Sequence, residues 1–245
     1  MSNALPTTGT ESRPGQLRAL VRAGHPRQAV VLAVVVGVLA RLTDRPWREV
    51  LVAAAAVLVV QLMLGLGNDV SDMEYDARAG RADKPLVAGD VPRGNVTYAI
   101  IVLLLLAIPL SLQSGSAAGV ALLATVLVGA VHNRWLHHGA LSWVGWTVSF
   151  ALLPAYLSYG GWGGGVHGAP PTWQVTVAAA GVGLCTHLAT TLPDLVGDHA
   201  AGSRNLPLRI ALHTGAPRLL WITVVLSVLA VAGLLWAGLS VGLRQ

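Results

Sequence analysis

The chain has 245 residues, of which 54% are hydrophobic and only 11% charged, with a formal net charge of +5. Soluble domains carry about 25% charged residues, so this composition excludes an ordinary water-soluble domain and points to the bilayer. The single cysteine, Cys185, excludes an intramolecular disulfide, and basic residues scattered along helix ends argue for anionic lipid headgroups and against nucleic acid.

Residues 1–20 read as a disordered polar tail; they lack an apolar h-region, which argues against a cleaved signal peptide. Residues 21–245 read as one transmembrane domain. No Asp, Glu, Lys or Arg occurs between Glu49 and Asp69, Arg93 and Arg134, Arg134 and Asp194, or Arg218 and Arg244. About 20 apolar residues span a bilayer, so these gaps hold one, two, two and one helices. The shorter run 28–40 makes a seventh; it begins earlier, with Arg22 and Arg27 snorkelling or facing a polar cavity.

The predicted spans are 24–41, 50–67, 95–112, 116–132, 141–159, 172–192 and 218–242. They describe an all-α polytopic membrane protein, about seven transmembrane helices in one bundle around a central cavity. Barrel strands would alternate in segments of about 10 residues instead. Ser111 to Ser116 predicts a tight hairpin; Gly160 to Gly165, followed by Pro170-Pro171, predicts a longer loop. Gly65 and Gly67 are expected to permit close helix packing. With the N-terminus cytoplasmic, 12 Lys and Arg fall inside and 4 outside. The positive-inside rule then puts 68–94, 133–140 and 194–217 on the cytoplasmic face.

Two acidic clusters stand at the ends of apolar runs, Asn68-Asp69-Val70-Ser71-Asp72-Met73-Glu74-Tyr75-Asp76 and Asp194-Leu195-Val196-Gly197-Asp198. At 100° per residue, Asp69, Asp72 and Asp76 lie within an arc of about 60°, with Asn68 near the same face. Asp194 and Asp198 do likewise at i and i+4. Five neighbouring carboxylates repel one another unless a cation intervenes. Mg²⁺ takes oxygen ligands and shares carboxylates with substrate phosphate oxygens, so two clusters suit two ions clamping a diphosphate. The following loops are basic: Arg78, Arg81 and Lys84 after the first cluster, Arg204 and Arg209 after the second. Metal ions and fixed cations together stabilise a diphosphate leaving group. A transporter with acidic ion sites is the alternative from another class. Transporters hold such groups near the midplane on broken helices, whereas these sit at helix ends beside basic loops.

The first cluster, continued by Asp83-Lys84-Pro85-Leu86-Val87-Ala88-Gly89, resembles the first signature of the UbiA-type intramembrane prenyltransferases. Leu192-Pro193-Asp194 through Asp198, Gly202, Arg204 and Pro207 is similar to the second signature, and Asn133-Arg134-Trp135-Leu136-His137-His138 resembles the connector after the fourth helix. The resemblance implies Mg²⁺-dependent ionisation of an isoprenyl diphosphate and prenyl transfer to a lipophilic, aromatic acceptor. A terpene cyclase on the same scaffold, quenching the cation internally, is the runner-up. Carried over by position, Asn68, Asp69, Asp72, Asp76, Asp194 and Asp198 form the metal and diphosphate set, and Lys84 and Arg204 look like diphosphate contacts. Members commonly have nine helices, so the last pair is expected to be missing here. His132 and His137 stand where the connector usually carries a Tyr and a Lys. His187, seven residues before Asp194, shares its helix face and is a candidate to orient an acceptor or steady a cation. His132, His137, Trp143 and Trp146 are further candidates for an acceptor or cation pocket.

Overall fold

Proline and glycine set the breaks between the apolar runs, and each run is a helix. The computed structural model describes residues 13–161 and 168–243; residues 1–12 of the expected tail and 162–167 of the expected glycine-rich loop lie outside the described residues. The helices are α1 (Arg13–Ala23), α2 (Pro26–Leu42), α3 (Trp47–Arg78), α4 (Pro85–Ala88), α5 (Arg93–Leu112), α6 (Ser116–Val131), α7 (Ser142–Tyr159), α8 (Trp173–Thr191), α9 (Leu195–Ala200), α10 (Leu206–Thr214) and α11 (Ala216–Ser240). The protein is an all-α membrane bundle. Among the described residues five helices are long and apolar enough to cross a bilayer, and α1 with α2, bent by 57°, makes a sixth if counted as one span. The 18-residue α7, packed between α6 and α8, is the seventh long helix among the described residues but is not one of those apolar enough by the same measure.

Two expectations need correction at the N-terminus. Residues 13–20 belong to α1 and not to a tail, because Ala19 and Ala23 are buried with Leu66 and Leu86 in one apolar cluster and Leu20 packs against it. The first span is also not one straight helix. Pro26 at the first turn of α2 forces the preceding residue out of the right-handed helical region, and His25 takes a left-handed conformation at φ 51°, ψ 54°.

Helix α3 is the axis of the bundle, in contact with α2, α5 and α6; the wall continues from α6 to α7, α7 to α8 and α8 to α11. Its 32 residues reach about 48 Å at 1.5 Å each, well beyond the roughly 30 Å apolar core of a bilayer. The last turns therefore leave the hydrocarbon without a break in the helix, and they carry the first acidic cluster. Ala53, Ala56, Val57 and Val60 of α3 pack on Ala33, Val36 and Ala40 of α2 and on Ala118, Ala121 and Leu122 of α6. At the end of the bundle away from the acids, Arg45 is buried and donates to the carbonyls of Leu157 and Gly160, capping α7.

Gly65 is where α3 meets the bend between α1 and α2. A Cβ there would stand 2.5 Å from the carbonyl oxygen of Gly24, a backbone atom that cannot swing aside. Gly67 has no such constraint; its nearest neighbour would be Asn133 Nδ2 at 3.8 Å. Ala normally stabilises a helix by up to about 1 kcal/mol relative to Gly. Gly65→Ala is expected to do the reverse, destabilising by about 1–3 kcal/mol through overpacking. Thermal unfolding in detergent micelles checks this, with Gly67→Ala as the near-neutral comparison.

Candidate active site

The second cluster is placed by a proline. Pro193 lacks an N–H and turns Leu192–Asp194 into one 3₁₀ turn between α8 and α9. Asp194 and Asp198 stay close to the i, i+4 relation expected of them. A π-helical turn, His132–Leu136, ends α6 in the same way; such turns are frequent at functional sites. It turns Asn133 and His137 toward α3, and His132 toward Trp146 of α7 and His187 of α8.

The two clusters, 118 residues apart in sequence from Asp76 to Asp194, meet at one end of the bundle. Arg81 is the joint. Its guanidinium donates to Asp76 Oδ1 at 3.0 Å and to Asp198 Oδ1 at 2.9 Å, and lies 3.5 Å from Asp194 Oδ1. The Tyr75 hydroxyl donates to Asp198 Oδ1 at 3.1 Å. Asn205 Nδ2 donates to the other Asp198 oxygen at 2.7 Å, while its own carbonyl accepts from Leu208 N–H and caps α10. Lys84 donates to Asp69 Oδ1 at 2.6 Å and lies 3.9 Å from Asp76 Oδ2. His25 Nε2 approaches Asp69 Oδ1 at 3.0 Å. Asn68 donates to Asp72 Oδ2 at 2.8 Å, and Asp72 Oδ1 lies 2.5 Å from His137 Nε2 and 3.6 Å from His138 Nε2.

Cations therefore sit directly on the acids, whereas the sequence pattern suggested two separate sets, one for metal and one for phosphate. Asp69, Asp72, Asp76 and Asp198 are all buried, and a buried carboxylate is tolerated only with a partner. Burial alone would lower the pKa of Arg81, but the carboxylates of Asp194, Asp76 and Asp198 outweigh it and hold it above its usual value. Burial, helped by neighbouring His137, brings His138 down to about 4, so its imidazole is neutral at pH 7.

Above the acids opens a cavity of about 440 Å³, inside the range of small-molecule sites. Asn68, Asp72, Asp194 and Asp198 line its charged end with Arg81 and Lys84, and Leu32, Leu64, Phe150 and Leu153 line its apolar depth. Along α3 the lining residues run from Tyr75 to Gln61, a depth of about 21 Å. His132, His137, His187 and Trp146 also line it. Trp146 and His187 stack with ring centroids 6.2 Å apart, His132 lies 6.5 Å from each, and His187 Nε2 pairs with Ser142 Oγ at 3.0 Å.

Several candidates do not line the cavity, buried Asp69 and Asp76 among them. Arg78 and Arg204 are exposed and do not line the cavity, nor does exposed Arg209. Arg204 is tied in by its backbone N–H, which donates to the His138 carbonyl, so its side chain is left outside. Trp143 also stays out of the lining; Trp146, three residues on, takes the place expected of it. Conversely, Tyr75, His25, His138 and Asn205 contact the acids without having been assigned a role. Asn205 carries a sequence signal, as a cap residue before Pro207, and Tyr75 follows Asp72 at i+3. Nothing in the sequence connects His25 to Asp69.

The oxygen donors suit a hard divalent cation. Asp69 Oδ2 and Asp72 Oδ1 are buried and lack a hydrogen-bond partner, as expected of atoms prepared for a ligand.

Residues 27–244 match the model of the UbiA prenyltransferase family. No curated protein sequence matches significantly. Among solved structures, the fold is similar to that of a UbiA homolog from Archaeoglobus fulgidus bound to GPP and Mg²⁺, at 17% identity and a TM-score of 0.69, covering 89% of this chain and 76% of that one. A structure of a UbiA homolog from the same organism bound to Cd²⁺ gives 17% identity and a TM-score of 0.67, with 90% and 78% covered. A digeranylgeranylglyceryl phosphate synthase in membranes gives 19% identity and a TM-score of 0.59, with 89% and 76% covered. At such identities the likeness is one of fold.

Proposed function

Because the chain belongs to the UbiA prenyltransferase family, with an intramembrane prenyltransferase-type fold, we propose that it ionises an isoprenyl diphosphate and transfers the prenyl group to a lipophilic, aromatic acceptor. One observation supports this above the others: Arg81 joins Asp76 to Asp194 and Asp198 at the charged mouth of a deep apolar cavity. The diphosphate of such a substrate belongs at that mouth and its tail in the depth lined by Leu32, Phe150 and Leu153.

In this reading Asn68, Asp69, Asp72, Asp76, Asp194 and Asp198 would hold two Mg²⁺ ions. When bound, these ions neutralise the negative charge that builds on the leaving diphosphate. Arg81 and Lys84 transfer from the acids to the diphosphate oxygens and stabilise the same charge from fixed positions. The bond between the allylic carbon and the diphosphate oxygen breaks with its electron pair leaving on the diphosphate. The face of Trp146 stands where an allylic cation would be sheltered. His187, held by Ser142, orients the acceptor. The site and the basic loops around it face the cytoplasm, on the charge asymmetry of the loops.

One observation favours the cyclase as second reading: His132, His187 and Trp146 enclose the cavity wall next to the acids, a lining suited to a cation quenched within one molecule. A panel of allylic diphosphates with Mg²⁺, supplied with and without aromatic acceptors, separates the two. Prenylated acceptor is the expected product. Hydrocarbon or terpene alcohol formed at full rate without acceptor would replace the transferase reading by the cyclase. Diphosphate untouched throughout would remove both.

A further inference from the structure

Of the five acids that converge, Asp72 is the one with no Lys or Arg within 4.0 Å among the described residues; imidazoles surround it instead. We propose that Asp72, which this site would share with the Mg²⁺ set, forms with His137 and His138 a mixed nitrogen and oxygen site that prefers a transition-type divalent ion such as Zn²⁺ or Co²⁺. Its ligand atoms all lie within 4.8 Å of one another.

The site is built, and it is more than a cluster. Asp72 is 7% exposed, and its Oδ1 has no hydrogen-bond partner; neither has His137 Nε2, although the two atoms face each other at 2.5 Å. A carboxylate oxygen and an imidazole nitrogen held so close need a proton or a metal ion between them, and a divalent ion takes the proton's place when it binds. The supports on the far sides are in place. Asn68 donates to Asp72 Oδ2, leaving Oδ1 free. His137 Nδ1 approaches the His132 carbonyl at 3.3 Å, and since a carbonyl can only accept, that nitrogen carries a proton and Nε2 is the atom turned toward Asp72. A metal-binding His is usually fixed in this way. The π-helical turn supplies the carbonyl, because the His137 backbone N–H bonds to the same oxygen at 3.1 Å. The His138 ring is packed between Tyr75 and His137, with centroids 3.8 and 3.6 Å away.

Ligand chemistry sets the preference. Imidazole nitrogen suits Zn²⁺ and its neighbours, whereas Mg²⁺ takes oxygen. At bond lengths of about 2.0–2.2 Å, donors in a tetrahedral site stand roughly 3.4 Å apart. The separation of Asp72 Oδ1 from His138 Nε2, 3.6 Å, already fits; His137 would withdraw by about 1 Å. All three residues line the cavity, so the remaining position faces the substrate space. The site's place beside a diphosphate rests on the function proposed above; binding of the ion does not.

The test uses the full chain in detergent, stripped with a chelator and titrated with Co²⁺ alone, followed by its visible absorption. One Co²⁺ per chain is expected, displaced by equimolar Zn²⁺ and retained in a large excess of Mg²⁺. His137→Ala and His138→Ala are each expected to weaken Co²⁺ binding by more than about 10–100-fold, while His199→Ala, at an exposed residue outside the cavity lining, leaves it unchanged. Equal binding by the His137 and His138 variants, or displacement by Mg²⁺, overturns the proposal. X-ray absorption on the Zn²⁺-loaded wild type reads the site without any variant: two imidazole scatterers support it, none or one overturns it. Asp194→Asn separates this from the diphosphate reading. It should keep the Co²⁺ spectrum and lose prenyl turnover; turnover retained counts against the diphosphate centre and leaves the ion site standing.

Discussion

Asp198→Asn is expected to lower turnover of an allylic diphosphate by at least about 10²–10³-fold, the loss typical when one preorganised electrostatic group is removed. Asp198 is the acid on which both halves of the bundle converge, receiving Tyr75, Arg81 and Asn205. The amide is isosteric, so its carbonyl still accepts from Tyr75 and Arg81. Its NH₂, however, faces the NH₂ of Asn205, and Asn205 cannot flip without giving up the cap on Leu208 N–H. A stability loss of about 1–3 kcal/mol is therefore expected beside the kinetic one, from one buried donor left unsatisfied. Asp194→Asn provides the contrast. Asp194 is half exposed and only 3.5 Å from Arg81, so it should lose turnover with little change in unfolding temperature. Wild-type turnover in Asp198→Asn would sink the diphosphate centre.

The second large effect concerns Arg81. Arg81→Ala leaves buried Asp198 without its cation and Asp76 with only Lys84, 3.9 Å away, and breaking such a pair is expected to cost about 3 kcal/mol. Addition of Mg²⁺ should restore much of it. An ion that binds the folded site stabilises in proportion to its affinity, and the variant's acids, freed of their guanidinium, are the better ligands. The Mg²⁺-induced rise in unfolding temperature is thus expected to be larger for Arg81→Ala than for wild type. Arg81→Lys should not repair the defect, because one ammonium cannot serve Asp76, Asp194 and Asp198 from a planar fork. Thermal unfolding of the three proteins across a Mg²⁺ series decides the matter. An equal rise in all three would mean that Arg81 and Mg²⁺ do not share these carboxylates.

Charge-free runs and their boundaries determined much about this protein without coordinates. Apart from α3, which runs eleven residues past its expected end at 67, the long helices fall close to the expected spans because a bilayer leaves a backbone few ways to satisfy its hydrogen bonds, and the acids of each cluster share a face because helical periodicity is local. The resemblance in the two signatures named the family. Tertiary structure alone decided the rest. Asp69 meets His25, and Asp72 meets His137 and His138, since a left-handed residue before Pro26 and a π-helical turn after α6 re-aim side chains in ways that no period of 3.6 anticipates. Arg81 reaches three acids from two clusters while Arg78 and Arg204 stay outside. Three basic residues of similar position in the sequence were separated by burial, a property of how helices pack and not of the residues themselves.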